Sequence, residues 1–254
     1  MGIKLISNNT LAPWSSKVVP PVSRGLEAWF TLDTDAARFG FNRALGKADA
    51  NIIGAPVAFA THGRFKGLSN YLQTKVAETD EVTLIVVGKA VNPIPEGAST
   101  TGDANTPFYV GSYRGQSVTP GVVGSAYGAS LYHVAMQSIT GGAARNNGEG
   151  GATSAVISAG GDVATEWGIR VMRASSRMAT KTQNLTKNLM RESTDLRARV
   201  LSDALFRIGS GTAAFGAEVD ISAVIIHSVV LNDDELAKQV EVVRKRMARL
   251  GILV

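Results

Sequence analysis

The chain has no cysteine among its 254 residues. Disulfides, thiolate zinc sites and cysteine nucleophiles are excluded, and folding in a reducing compartment is expected. Charge is scarce as well: Asp, Glu, Lys and Arg make up 19% of the residues, below the usual quarter. The three histidines, His62, His133 and His227, are far apart and form no His-x-His or His-Glu-x-x-His spacing. Phosphate-loop and dinucleotide motifs are missing, since Gly209-Ser210-Gly211 follows a strand pattern with no helix pattern after it. No apolar run approaches the length that spans a bilayer, so no membrane insertion is expected. Met1 to Trp14 lacks the apolar stretch of a signal peptide.

What remains is rich in apolar residues (44%) and in glycine (27 residues). That combination suits a β protein with many turns and a substantial core. Net charge is +5, and Arg244, Lys245, Arg246 and Arg249 supply four positives in one C-terminal stretch. Nucleic-acid binding usually needs a basic patch joined to aromatics or a known module. Neither is visible, so no nucleic acid is expected and the basic stretch reads as a solvated or inter-subunit face.

Residues 1–24 read as an extended anchoring arm. Pro20 and Pro21 fix their own φ and push the residue before each towards extended backbone, while Trp14 needs a surface to dock on. Leu26 to Leu32 opens the body as a strand. Glu81 to Val87 is apolar on both faces, as a central strand should be. The segment Gly141 to Gly151 reads as a mobile loop from its composition. Glu218 to Val230 reads as one long strand, on which strict alternation places His227 on a face with Ile221, Ala223 and Ile225. Many short strands with turns between them predict an all-β sandwich over residues 25–231. Residues 232–254 form the one clear helix, with Asn232 as N-cap, three acids in its first turn and Gly251 as its stop. Leu236, Val240, Val243 and Met247 make an apolar stripe that packs on the sandwich or forms a seam between subunits.

Three segments in order resemble the laminin G-like, concanavalin A-like lectin domains of bacteriophage virion proteins. They are Gly25 to Asp33; Asn70-Tyr71-Leu72 followed by Val82 to Val87; and Phe206 to Gly209, Phe215 to Ile221 and Ile225 to Leu236. In the third, a glycine turn leads into an acidic strand that ends in a capped helix. The resemblance implies a two-sheet antiparallel jelly roll in a tail, fibre, collar or capsid-decorating component. It implies a virion location, other virion proteins and further copies of the chain as partners, and host surface glycan as a ligand. Calcium is common in such domains; Asp103 and Asp162 lie in loops, but neither matches a family ligand, so no cofactor is assigned.

Related glycoside hydrolases carry Glu-x-Asp-x-(x)-Glu on one strand, with paired carboxylates as nucleophile and acid. Glu218-Val219-Asp220 reproduces half of that motif, but Ser222 and Ala223 stand where the third acid belongs. Without a proton donor on that strand a non-enzymatic chain is expected, with turn backbone or an arginine satisfying the two acids. Sugar faces are apolar with hydroxylated rims, so a glycan site needs aromatic platforms beside polar donors. Tyr113, Arg114, Tyr127 and Trp167 are the candidate ligand residues; the competing reading makes the rings core or inter-subunit packing. Trp14, Pro20, Pro21, Leu236, Val240, Val243 and Met247 are the candidate anchor and interface residues.

Overall fold

A computed structural model describes residues 18–99 and 101–254. In chain order the strands are β1 (Leu26–Thr31), β2 (Asn51–Ile53), β3 (Val57–Ala58), β4 (Gly63–Lys66), β5 (Tyr71–Gln73), β6 (Val82–Ala90), β7 (Phe108–Gly111), β8 (Gly115–Gln116), β9 (Ser125–Ala126), β10 (Ser130–Ala135), β11 (Ser138–Asn146), β12 (Ala152–Gly160), β13 (Gly168–Ser175), β14 (Met178–Asn184), β15 (Leu189–Glu192), β16 (Arg207–Ile208) and β17 (Glu218–His227), followed by helix α1 (Asp233–Arg249). Two antiparallel sheets stack as a sandwich. The first runs β15-β14-β13-β6-β17-β4-β3, with β1 also paired to β17; the second runs β12-β11-β10-β7-β16-β5-β2.

Alternation builds two apolar layers from the first sheet. One face meets the second sheet through Phe30, Leu84, Val86, Met172, Val224 and Ile226, packed with Val110, Leu131 and Ile208. The other face, through Trp29, Ile85, Val87, Val171, Ala223 and Ile225, seats α1. The helical stripe Leu236, Val240, Val243 and Met247 is buried in that second layer within the chain. The helix starts in a capping box: Glu235 N–H donates to Asn232 Oδ1 at 2.8 Å, and Asn232 N–H donates to Glu235 Oε2 at 2.9 Å. Arg173–Asp233 and Arg246–Asp33 clamp its two ends to the sandwich. No helix among the described residues is long and apolar enough to cross a membrane.

Two expectations are corrected. The glycine-rich Gly141 to Asn146 is not a loop but the last two thirds of β11; only residues 147–151 turn. Glycine is needed there because the sheets approach closely: a Cβ on Gly141 would sit 2.1 Å from Thr182 Oγ1. Strict alternation also fails on β17, where the register shifts between Ile221 and Ala223. This bulge turns Ile221 into the inter-sheet core while Ala223 and Ile225 face α1.

Of the arm, Val18 N–H donates to Arg43 O at 3.0 Å, and Val22 is buried under the body. Pro20 is half-buried and Pro21 exposed. Trp14 lies outside the described residues.

Candidate functional site

The part of the outer face that α1 leaves uncovered carries polar and aromatic groups. Strand register sets them in a row. Asp220 on β17 lies opposite Lys89 on β6 and Arg64 on β4. On the far side of β6, Gly168 of β13 pairs with Gly88, which places the preceding Trp167 beside Lys89. The Lys89 ammonium stands 5.5 Å from the Trp167 ring. At the other end the Arg64 guanidinium lies 4.9 Å over Phe59.

Phe59 to His62 is the tight connection between β3 and β4, closed by Phe59 N–H to His62 O at 2.8 Å. His62 stacks on Phe59 (4.7 Å, 11°) and meets Trp167 edge-on at 5.3 Å. The three rings thus form one continuous surface. Gly63 follows because a Cβ there would strike Phe39 and Phe65. Ser222, the bulged residue of β17, donates to Thr61 O at 2.8 Å and pins this connection.

Asp220 receives Arg64 through both oxygens, at 2.8 and 3.1 Å, with His62 Nε2 at 3.4 Å and Lys89 Nζ at 3.9 Å. Burial alone would raise its pKa, but the His62 and Arg64 contacts hold it below the ordinary carboxylate value. With its side chain only 2% exposed, it positions the cations and is shielded from a ligand. Arg64, Lys89, Phe59 and Trp167 keep part of their surface open to solvent. A groove of about 440 Å³ lined by Asp33, Thr34, Asp35, Arg38, Ala58, Phe59 and Ala60 continues from the Phe59 side.

The support beneath Trp167 is a buried ion pair. Arg170 on β13 points inward, and its Nε and Nη2 donate to the two oxygens of Asp162, both at 2.7 Å. The same guanidinium donates to Val163 O and Glu166 O, each at 3.2 Å, and to Gly88 O. It therefore ties the loop that carries Trp167 to the strand residue before Lys89. Tyr109 lies under it at 5.2 Å and bonds His133 Nδ1 at 2.9 Å. Burial pushes His133 down to about 4, against the opposing pull of Asp162.

The sequence candidates divide between the two outer faces. Tyr113, Arg114 and Tyr127 come together on the second sheet: Tyr113 and Tyr127 are 5.3 Å apart, and the Arg114 guanidinium is 5.8 Å from the Tyr127 ring. Tyr113 is 7% exposed, packed edge-on against Phe215 at 4.9 Å, and its hydroxyl donates to Thr101 O. Trp167 belongs to the other face and joins Phe59, His62, Arg64 and Lys89, which sequence reasoning missed. A signal existed in Lys89, a lone cation in the apolar run from Val82 to Ala90. Of the loop acids weighed for calcium, Asp103 accepts the Ser99 and Asn105 amides and Asp162 is paired with Arg170. Among the described residues no group of three or more His, Asp or Glu side chains is arranged to hold a metal.

The class this architecture defines is a β-sandwich of the lectin-like kind with one C-terminal helix. No family model matches the chain, and no curated protein matches it. Solved structures do. A mutant Trypanosoma rangeli sialidase displaying trans-sialidase activity superposes with a TM-score of 0.58 at 13% identity, over 88% of this chain and 33% of that one. The same organism's sialidase in complex with the inhibitor DANA gives 0.58 at 15%, over 91% and 35%. The receptor-binding domain of botulinum neurotoxin D gives 0.56 at 11%, over 87% and 54%. The chain thus spans about a third of the sialidases and about half of the neurotoxin chain. At these identities the shared property is the fold. The expectation of a non-enzymatic chain is corrected here, because the fold recurs in chains that are enzymes. The half-motif at Glu218 and Asp220 removed one hydrolytic arrangement only.

Proposed function

We propose that the chain recognises a carbohydrate through the face formed by Phe59, His62, Arg64, Lys89 and Trp167. One observation carries this: a continuous aromatic surface bracketed by two partly exposed cations, both drawn to the buried carboxylate of Asp220. The rings match the apolar face of a pyranose, and Arg64 and Lys89 supply donors to hydroxyl or carboxylate oxygens at its rim. The neighbouring groove gives room for a second sugar. The sequence resemblance adds the setting, a bacteriophage virion component displayed in many copies beside other virion proteins, where weak sites combine into firm attachment to host-surface glycan.

A glycan array read with the intact chain, Trp167→Ala and Arg114→Ala tests the site. Binding should fall about tenfold or more in Trp167→Ala, equivalent to about 1.4 kcal/mol, and stay unchanged in Arg114→Ala on the opposite face. Absence of any bound glycan, or equal binding by Trp167→Ala, removes the proposal. Mass spectrometry of the bound glycans afterwards reads any turnover, and proteomics of purified particles tests the virion setting.

A further inference from the structure

A sheet edge exposes a row of unpaired N–H and C=O groups, and proteins blunt such edges by brevity, charge or proline. Of the four strands that end the main paths of the two large sheets, three follow that rule: β3 has two residues, β2 has three, and β15 has four including Arg191 and Glu192. The fourth does not. β12 runs nine residues, Ala152–Gly160, with no charge and no proline. It pairs along its whole length with β11, and among the described residues no other backbone hydrogen bond reaches it. Its outer-face residues Ser154, Val156 and Ser158 are exposed, Val156 by 49%.

We propose that β12 pairs antiparallel with β12 of a second copy of this chain, about a two-fold axis at Val156. The sequence fits its own reverse. Centring on Val156 sets Val against Val, Ser154 against Ser158, Ala155 against Ile157, Thr153 against Ala159 and Ala152 against Gly160. No position opposes like charges, and Ser154 faces Ser158, which suits cross-strand pairs. A two-fold contact needs such self-complementarity. Pairing makes one continuous sheet of the two seven-stranded ones and removes the open edge. β12 packs over the β14–β15 side of the sandwich, whereas the Trp167 and Phe59 surface spans β13 to β3. Both copies of that surface stay uncovered, although the pairing itself does not depend on what they bind.

Sedimentation velocity on the full chain tests this, with the fold monitored by circular dichroism and the melting temperature. The wild type should show a two-chain species that dissociates on dilution. Val156→Lys puts two ammonium groups against each other at the axis and should weaken the pair about 100-fold or more, without changing the spectrum. A charge-swap pair then reads the register. Ser154→Lys with Ser158→Glu sets Lys opposite Glu and should keep the two-chain mass, whereas Ser154→Lys with Ser158→Lys should lose it. A one-chain mass for the wild type at every concentration overturns the proposal. So does a larger assembly that is indifferent to Val156→Lys and to the sign of residue 158, which would place the contact on another surface.

Discussion

Asp162→Asn is the most informative single change, because it keeps the shape of the side chain and removes only its charge. Arg170 is fully buried and Asp162 is 1% exposed, so neither charge has water to fall back on. Both charge-assisted bonds to Asp162 are 2.7 Å, and an amide oxygen can replace only one of them at neutral strength. The guanidinium keeps Gly88 O, Val163 O and Glu166 O but loses its counter-charge. Breaking one side of a buried pair costs about 3–5 kcal/mol; with one acceptor retained, about 3 kcal/mol is expected, a large share of a typical 5–15 kcal/mol. Urea unfolding at pH 7 followed by circular dichroism measures it. Asp195→Asn, whose partner Arg197 faces solvent, is the reference and should leave the midpoint where it is. Asp162→Leu with Arg170→Met should recover part of the loss, since an apolar pair of similar volume tolerates burial while the carbonyls of Gly88, Val163 and Glu166 lose their donor. An Asp162→Asn variant within about 1 kcal/mol of wild type would refute a stabilising role for the buried pair. A double variant less stable than the single one would refute it equally.

Three further outcomes follow from the same geometry. His133 is held neutral down to about 4, while in the unfolded chain it takes a proton near 6.5. Stability should therefore be full above about pH 6.5 and fall by roughly 3 kcal/mol as pH drops to about 4, a slope that His133→Gln flattens in denaturation curves across that range. Gln239 on α1 is fully buried with neither amide atom bonded, so Gln239→Leu should raise stability by about 1 kcal/mol, read as a higher melting temperature. Ser222→Ala removes the pin on Thr61 O at about 1 kcal/mol; glycan affinity should fall several-fold through Phe59 and His62, and an unchanged affinity would detach the bulge from the site.

The two-layer architecture was legible because alternation on Val82 to Val87 and the stripe from Leu236 to Met247 each name a buried face. The site was less legible because it depends on where the helix stops covering the sheet. Val87 and Lys89 point the same way, yet one lies under α1 and the other in solvent, and no local pattern marks that boundary. Tyr113 misled because a tyrosine before Arg114-Gly115 reads as a loop platform, whereas Phe215, about a hundred residues on, closes over it. Gly141 misled for a related reason: glycine chosen for close sheet contact has the same letter as glycine chosen for a turn.

Strand β17 shows how one strand serves both the helix and the candidate site. Glu218 and Asp220 point outward, Val219 and Ile221 inward; after the bulge, Ala223 and Ile225 point outward, Val224 and Ile226 inward. A strand of unbroken period two would carry Asp220 on the same face as Val224 and Ile226, putting either the carboxylate in the core or the aliphatic pair in water. The extra residue changes the parity between the two halves. It lets the acid that organises Arg64, Lys89 and His62 share a surface with the apolar seat of α1. The residue that makes the switch, Ser222, is also the one whose hydroxyl fixes the Phe59 to His62 connection. Packing of α1 and placement of the Asp220 cluster therefore both depend on one backbone irregularity.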